Sequence, residues 1–129
     1  MNWEWIPPSV AYAIHDKQLA EHGGIAGVKD HNLVGSALAR PRQLAVYGQP
    51  PPDVADLAAA YAYGIARNHG FNDGNKRTAW ILARLFVGLN GYTLQFSQAE
   101  AYATVVALAA GELDERAFAE WLRQRIAKS

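Results

Sequence analysis

The stretch HGFNDGNKRT, at His69–Thr78, lies mid-chain between two apolar helical patterns. It combines an imidazole that can take a proton near neutral pH with a carboxylate that can hold Mg²⁺. Its glycines let the backbone turn tightly, and the N–H groups that open a helix attract anions. Lys76 and Arg77 then add cationic phosphate donors. These residue types in this order indicate a phosphate-handling active site in a loop that precedes a helix.

The segments on either side of this loop are predicted to be helices. Asp53 is expected to cap a helix that ends near Asn68, because apolar residues recur on one of its faces. The next helix is expected to begin near Asn75 and to stop at Gly88–Gly91. Beyond its first turn only Arg84 is charged, so this second helix is expected to lie at the centre of the domain.

Four further helices are predicted from capping residues, stop signals and apolar spacing. Gly48–Pro52 is expected to be an extended, proline-rich loop, and Tyr92–Phe96 a short β-prone connector. The chain is therefore predicted to be all-α, with about six helices in a single domain over residues 1–129. The four further helices are expected at about Val10–Glu21, Asp30–Arg40 (ended by Pro41), Ser97–Ala110 (with a Ser97–Glu100 capping box) and Asp114–Ala127 (including Ile126 on its apolar face).

Composition restricts the class of protein further. The chain has 129 residues, of which 50% are hydrophobic, enough for one core without disorder. It has no cysteine, so disulfides and thiolate metal sites are excluded. We expect a soluble cytoplasmic protein with no membrane partner, because the sequence has neither a signal-peptide pattern nor a long apolar run. The net charge of zero argues against direct binding of nucleic acid, and the local positive excess lies at Arg67–Arg84.

The central stretch resembles the signature of the Fic/Doc superfamily, His-x-Phe-x-Asp/Glu-Gly-Asn-Gly/Lys-Arg. Lys76 is typical of its death-on-curing (Doc) branch, and His15-Asp16, Gly23–Ile25 and Ser36–Pro41 also resemble Doc-type sequences. The resemblance implies the compact helical Fic fold, with the active-site loop between two central helices, and a nucleotide substrate. Fic enzymes mostly transfer AMP to a protein hydroxyl. Doc toxins instead transfer the γ-phosphate of ATP to a threonine of the elongation factor EF-Tu, which arrests translation.

The resemblance also implies a role for each residue of the motif. His69 is expected to be the general base that takes the proton of the attacking hydroxyl. Asp73 is expected to hold Mg²⁺, although it could instead cap the following helix. Phe71 is expected to anchor the loop by packing. Arg67, just before the loop, could reach a phosphate or form a salt bridge.

The residues at the start of the following helix are expected to bind the phosphates. Gly74 and Asn75 would form an anion-binding turn, and Lys76 and Arg77 would neutralise the charge on the transferred phosphoryl group in catalysis. Two departures from the AMP-transfer pattern favour the Doc reaction. Lys76 stands where AMP-transferring enzymes have a second glycine, and Trp80 stands where a second arginine often follows.

Several expectations concern partners and the rest of the chain. A Phd-like antitoxin is implied, with its C-terminal segment in an apolar groove, because no inhibitory Ser/Thr-x-x-x-Glu-Gly/Asn helix is present. The loop Tyr47–Pro52 is expected to be the flap that docks the target. The alternatives to an ATP- and Mg²⁺-dependent kinase acting on EF-Tu or another translation protein are AMP transfer and a non-catalytic antitoxin-binding regulatory module. Trp3 and Trp5 are expected to pack the N-terminus, and His15, His22 and His31 to be structural or surface residues.

Overall fold

A computed structural model describes residues 2–129, so Met1 of the predicted domain lies outside the described residues. The described residues form six helices and one small antiparallel sheet, which confirms the predicted all-α class. In chain order the elements are α1 (Pro8–His22), α2 (His31–Tyr47), α3 (Val54–Asn68), α4 (Asn75–Leu89), β1 (Tyr92–Leu94), α5 (Gln98–Ala110), α6 (Glu115–Arg123) and β2 (Ile126–Lys128).

The two helices around the motif begin and end where the sequence predicts. At the start of α3, Asp53 and Asp56 each accept a hydrogen bond from the other's backbone N–H, at 2.9 and 3.0 Å. Burial raises the pKa of Asp53, but hydrogen bonds from Arg123 of α6 and from the Asp56 N–H outweigh it and lower that pKa to about 2. At the start of α4, Gly74 has φ 77°, a left-handed conformation that glycine adopts without steric cost.

The two helices that flank the motif, α3 and α4, pack extensively against each other at the centre of the fold, as expected. Helix α3 packs against α2, α4, α5 and α6, and most of its 15 residues are buried. Its many alanines allow four neighbouring helices to approach closely on all sides. Helix α4 also packs against α1, α5 and β1, but it exposes Arg84 and Leu89, so it is less completely buried than α3.

Helices α2 and α3 are in close contact at Gly64, and this contact yields a prediction. A Cβ added at Gly64 would lie 3.0 Å from the Cβ of Ala37 and 3.1 Å from its Cα, whereas one added at Gly35 would meet nothing within 4 Å. Gly64→Ala is therefore expected to destabilise the protein by about 1–3 kcal/mol through overpacking. The matched change Gly35→Ala is expected to stabilise it by about 0.5–1 kcal/mol. Urea unfolding measures both, and equal effects at the two glycines would contradict the packing argument.

Helix α2 continues through Pro41 to Tyr47, so its predicted end at Arg40 is wrong. Proline lacks the N–H for the carbonyl four residues earlier, and its ring crowds the preceding turn. Pro41 is nevertheless buried, and Leu44 in the next turn packs against the core. Burial of this face outweighs the local cost of the proline.

The C-terminal segment is a strand, although the sequence predicts the end of a helix there. Helix α6 ends at Arg123 rather than at Ala127, and Ile126 pairs with Leu94 in the antiparallel β1–β2 ladder. This pairing also converts the predicted connector at Tyr92–Phe96 into a strand. The extended backbone is stabilised by a distant partner segment, which local helical spacing does not reveal.

The capping box predicted at the start of α5 is only half formed. The Ser97 hydroxyl accepts a hydrogen bond from the Glu100 N–H at 3.2 Å, as predicted. The Glu100 carboxylate instead accepts a hydrogen bond from the Arg125 guanidinium. A charge-assisted partner therefore replaces the weaker bond to the Ser97 backbone.

The N-terminal segment packs on the helical core. Trp3 and Trp5 pack against the buried ring of Phe86, with centroid separations of 6.0 and 5.6 Å, which confirms their role at the N-terminus. Among the described residues, no helix combines the length and apolar character needed to cross a bilayer.

Candidate active site

The motif connects α3 to α4 and lies against the loop between α1 and α2, Gly23–Asp30, which we call the α1–α2 loop. The Gly70 carbonyl accepts hydrogen bonds from the backbone N–H groups of Lys29 and Asp30, at 2.9 and 3.0 Å. The Asn72 N–H donates to the Gly27 carbonyl at 3.2 Å. These backbone contacts form a short antiparallel bridge that local sequence patterns do not reveal, because it joins segments about forty residues apart in the chain.

The flap that docks the target beside the motif was expected at Tyr47–Pro52, but the segment that lies beside the motif is the α1–α2 loop. That expectation is contradicted, because Tyr47–Pro52 leads into the start of α3 and the motif follows its end. Fifteen helical residues separate the two ends by about 22 Å. The extended segment beside the motif is therefore Gly23–Asp30.

His69 is the last residue before the loop turns away from α3. It has φ 53° and ψ 40°, a left-handed conformation that is uncommon outside glycine, asparagine, aspartate and histidine. Its side chain is exposed and makes no hydrogen bond to any residue in the described part of the chain. The imidazole is therefore accessible to a substrate hydroxyl.

Phe71 is buried, with 1% of its surface exposed, and fastens the middle of the motif loop to α1. The ring of His15 stacks on it with a centroid separation of 3.7 Å, and Tyr12 contacts it edge-on at 5.8 Å. His15 is itself buried, and its Nε2–H donates to the Asp73 carbonyl at 2.8 Å. The expectation that His15 is a structural residue is correct, but the sequence did not indicate its direct contact with the motif. The only local signal is its place in the buried stripe of α1.

The Asp73 carboxylate lies at the exposed edge of the loop. Its two oxygens accept hydrogen bonds from the backbone N–H groups of Gly74, at 2.9 Å, and Ile25, at 3.2 Å. These two bonds, helped by the nearby cations Arg77 and Lys76, lower the pKa of Asp73 against a smaller rise from desolvation. Asp73 is therefore ionised across the neutral range, and each oxygen retains a lone pair for another partner.

Asn75 pins the loop to the first turn of α4. Its side-chain amide donates to the Phe71 carbonyl at 3.1 Å and accepts from the Phe71 N–H at 3.3 Å. Within the described residues, the backbone N–H groups of Asn75, Lys76 and Arg77 have no acceptor, and α4 has no side-chain cap. Three donors at the positive end of a helix are thus available to an anion.

The cations near the loop are in different environments. Lys76 is exposed, whereas the Arg77 guanidinium donates to the Gly23 carbonyl at 3.2 Å and so lies towards the α1–α2 loop. Arg67 lies over the ring of Tyr63, with its guanidinium carbon 5.6 Å from the ring centroid, and beside Gly111 at the end of α5. The structure thus brings His69, Asp73 and the first turn of α4 together, and places Arg67 against the neighbouring helices.

Comparisons with known proteins point to one family. A family model described as the Fic/DOC family matches residues 5–87, which include the whole motif. The chain is 33% identical over 119 residues to "Protein kinase doc" of Escherichia phage P1, and the aligned region covers 92% of this chain and 93% of that protein. It is 48% identical over 73 residues to "Toxin Doc" of Mycolicibacterium smegmatis, which covers 56% of this chain and 55% of that protein.

Proposed function

We propose, since the chain belongs to the Fic/DOC family, that it is a single-domain toxin enzyme that transfers the γ-phosphate of ATP to a protein threonine. The observation that carries this proposal is the arrangement of one loop. An exposed imidazole at His69 and an ionised carboxylate at Asp73 flank the uncapped start of α4. A base, a cation ligand and an anion-binding helix end are what phosphoryl transfer requires.

In the proposed reaction, His69 accepts the proton of the substrate hydroxyl. The hydroxyl oxygen forms a bond to the γ-phosphorus while the bond between that phosphorus and the bridging oxygen breaks, and ADP leaves. The free N–H groups of α4 and the side chains of Lys76 and Arg77 stabilise the negative charge on the phosphate oxygens. Because these donors are already held in place by Asn75 and Gly74, little reorganisation is needed.

The residues present fit Mg²⁺ bound together with a nucleotide. Within the described part of the chain, no cluster of three histidine or acidic side chains can hold a metal by itself. Mg²⁺ requires only one or two protein carboxylates, because waters and phosphate oxygens complete its shell, and Asp73 supplies one. When bound, the ion contributes positive charge next to the phosphate oxygens.

Lys76 supports transfer of the γ-phosphate over transfer of AMP. A lysine side chain at the second position of the anion-binding turn adds a charge and removes space that a glycine would leave for the phosphates. We therefore propose a kinase, with AMP transfer as the second candidate. A non-catalytic antitoxin-binding module remains the candidate from another class.

We propose two protein partners for this enzyme. The acceptor is a threonine of EF-Tu or of another translation protein, presented in extended form to the α1–α2 loop, which already makes strand-like contacts with the motif. The inhibitor is a Phd-like antitoxin that acts in trans, which is consistent with the toxin name of a relative and with the absence of an inhibitory helix motif from this sequence.

An isotope experiment tests the proposed function. The purified protein is incubated with EF-Tu, Mg²⁺ and ATP that is labelled in parallel reactions at the α- or the γ-phosphate, and labelled protein is separated and its modified residue identified. We expect the γ label, and not the α label, to appear on a threonine. Omission of Mg²⁺ is expected to abolish transfer. The variant His69→Asn is the control for contaminating kinases.

The other outcomes identify the competing functions. Transfer of the α label would replace the kinase by an AMP transferase. If neither label is transferred to EF-Tu, the same reactions with a ribosome-free extract distinguish another target from a non-catalytic module. No labelled protein in that extract, with a folded protein that binds antitoxin, would support the module and overturn the enzyme.

A further inference from the structure

The outer face of α4 carries a line of cations that continues beyond the motif. Lys76, Arg77 and Arg84 are exposed, and the helix contains no acidic residue. None of the ion pairs formed by the described residues involves these three cations. Trp80 follows Lys76 by four positions and precedes Arg84 by four, so the side chains share one face of the helix. This face is cationic and contains one large aromatic ring.

The Trp80 ring is held at an angle fixed by aromatic neighbours from two other segments. Phe96 contacts it edge-on, with centroids 5.1 Å apart and planes at 86°, and Trp121 lies 5.9 Å away. The Arg84 guanidinium lies 5.7 Å from the Trp80 centroid and 5.1 Å from that of Phe96. Part of the Trp80 side chain remains exposed. The result is a rigid surface of an indole and a guanidinium, both of which can stack on a planar ring.

Packing accounts for the contacts of Trp80 with Phe96 and Trp121, and a cation–π contact accounts for the position of Arg84, as one does for Arg125 over Trp121. What distinguishes Trp80 and Arg84 is their place on α4, the helix whose first turn has free backbone N–H groups. The helix rises about 7.5 Å from Asn75 to Trp80. The cationic turn and the aromatic surface are thus adjacent along one helix.

We propose that Trp80 and Arg84 form the base-binding subsite of the nucleotide site, in which a purine ring stacks on this indole–guanidinium surface. The inference rests on the nucleotide-binding function proposed above and specifies where on α4 the base and the phosphates of the nucleotide lie. The phosphates occupy the first turn of α4, and the base lies further along the helix, away from His69. This order leaves the terminal phosphate nearest to His69, which favours γ-phosphate transfer.

Calorimetry with two ligands tests the subsite separately from the reaction. ATP contains a base and tripolyphosphate does not, and both are titrated with Mg²⁺ into His69→Asn protein, without a protein acceptor, so that turnover is minimal. Trp80→Leu is expected to weaken ATP binding about 5- to 100-fold, since aromatic–base stacking contributes this much, and to leave tripolyphosphate binding unchanged. Trp80→Phe, which keeps an aromatic face, is expected to retain most of the ATP affinity.

Two further variants distinguish an effect on ligand binding from an effect on folding. Arg84→Gln alters an exposed side chain and is expected to weaken ATP binding several-fold with no change in melting temperature. Trp5→Leu removes a tryptophan that packs on Phe86 and is expected to leave both affinities unchanged. Circular dichroism verifies that each variant is folded before it is titrated.

Each outcome of the titrations decides the inference. If Trp80→Leu and Arg84→Gln are folded and bind both ligands like the parent protein, or lose both ligands equally, the subsite is wrong while the proposed function stands. If the parent protein binds neither ligand, the proposed nucleotide function fails and the subsite fails with it. Selective loss of ATP alone supports the subsite.

Discussion

Replacing His69 by asparagine is expected to reduce phosphoryl transfer by about 10²- to 10⁴-fold while leaving ATP binding unchanged, because a general base contributes this much to the chemical step. Asparagine is the appropriate replacement since His69 has φ 53°, and asparagine tolerates this left-handed conformation better than most residues. It cannot take up a proton near neutral pH. Single-turnover transfer from γ-labelled ATP measures the chemical step, and calorimetry measures binding.

Two comparisons show whether the loss comes from the missing base. His69→Ala adds backbone strain of about 1–3 kcal/mol at the same position, so it is expected to lower stability more than His69→Asn does and to be no more active. His22→Asn alters an exposed histidine on α1 and is expected to transfer phosphate like the parent protein. A His69→Asn variant that is folded and retains full activity would contradict the role of His69.

Replacing Phe71 by alanine is expected to destabilise the protein by about 3–5 kcal/mol, the usual cost of emptying a buried phenylalanine site. The ring is 1% exposed, stacks on His15 and contacts Tyr12, so its removal leaves a cavity between the motif and α1. The hydrogen bonds from Asn75 go to the Phe71 backbone, which alanine retains, so the loss measures the contribution of the ring itself. Urea unfolding, monitored by circular dichroism, measures the loss.

The control for this second prediction is Tyr102→Ala. Tyr102 is also an aromatic residue, but it is 73% exposed, and its removal is expected to change stability by less than about 0.5 kcal/mol. Phe71→Leu retains much of the buried volume and is expected to fall between the two. If Phe71→Ala cost no more than Tyr102→Ala, Phe71 would not anchor the motif loop.

Much of the fold around the motif could be predicted because its signals are local. The caps of α3 at Asp53 and of α5 at Ser97, and the glycine turn at Gly74, depend on residues within a few positions of each other. Apolar residues at helical spacing then identified these segments as helices rather than strands. The errors lie where a distant segment outweighs the local preference, as at Pro41 in α2 and at Ile126 in β2.

In the candidate site, too, the local features could be predicted from the sequence and the contacts with distant segments could not. The chemistry-bearing residues His69, Asp73, Lys76 and Arg77 were recognisable from their types and order within one short stretch. Their surroundings were not, because the buried His15 belongs to α1, more than fifty residues earlier in the chain. The expected flap at Tyr47–Pro52 was wrong because that segment precedes α3 whereas the motif follows it, and the segment that contacts the motif comes from the distant α1–α2 loop.

The sequence by itself thus determined the motif, the helix that follows it and the all-α class, because turn and cap chemistry act over single turns of backbone. Only the tertiary structure decided that α3 packs against four other helices, that the α1–α2 loop lies beside the motif, and that Ile25 donates to Asp73. It also decided that Trp80 and Arg84 of α4 meet Phe96. These features depend on which distant segments come into contact, and the packing of whole helices determines those contacts.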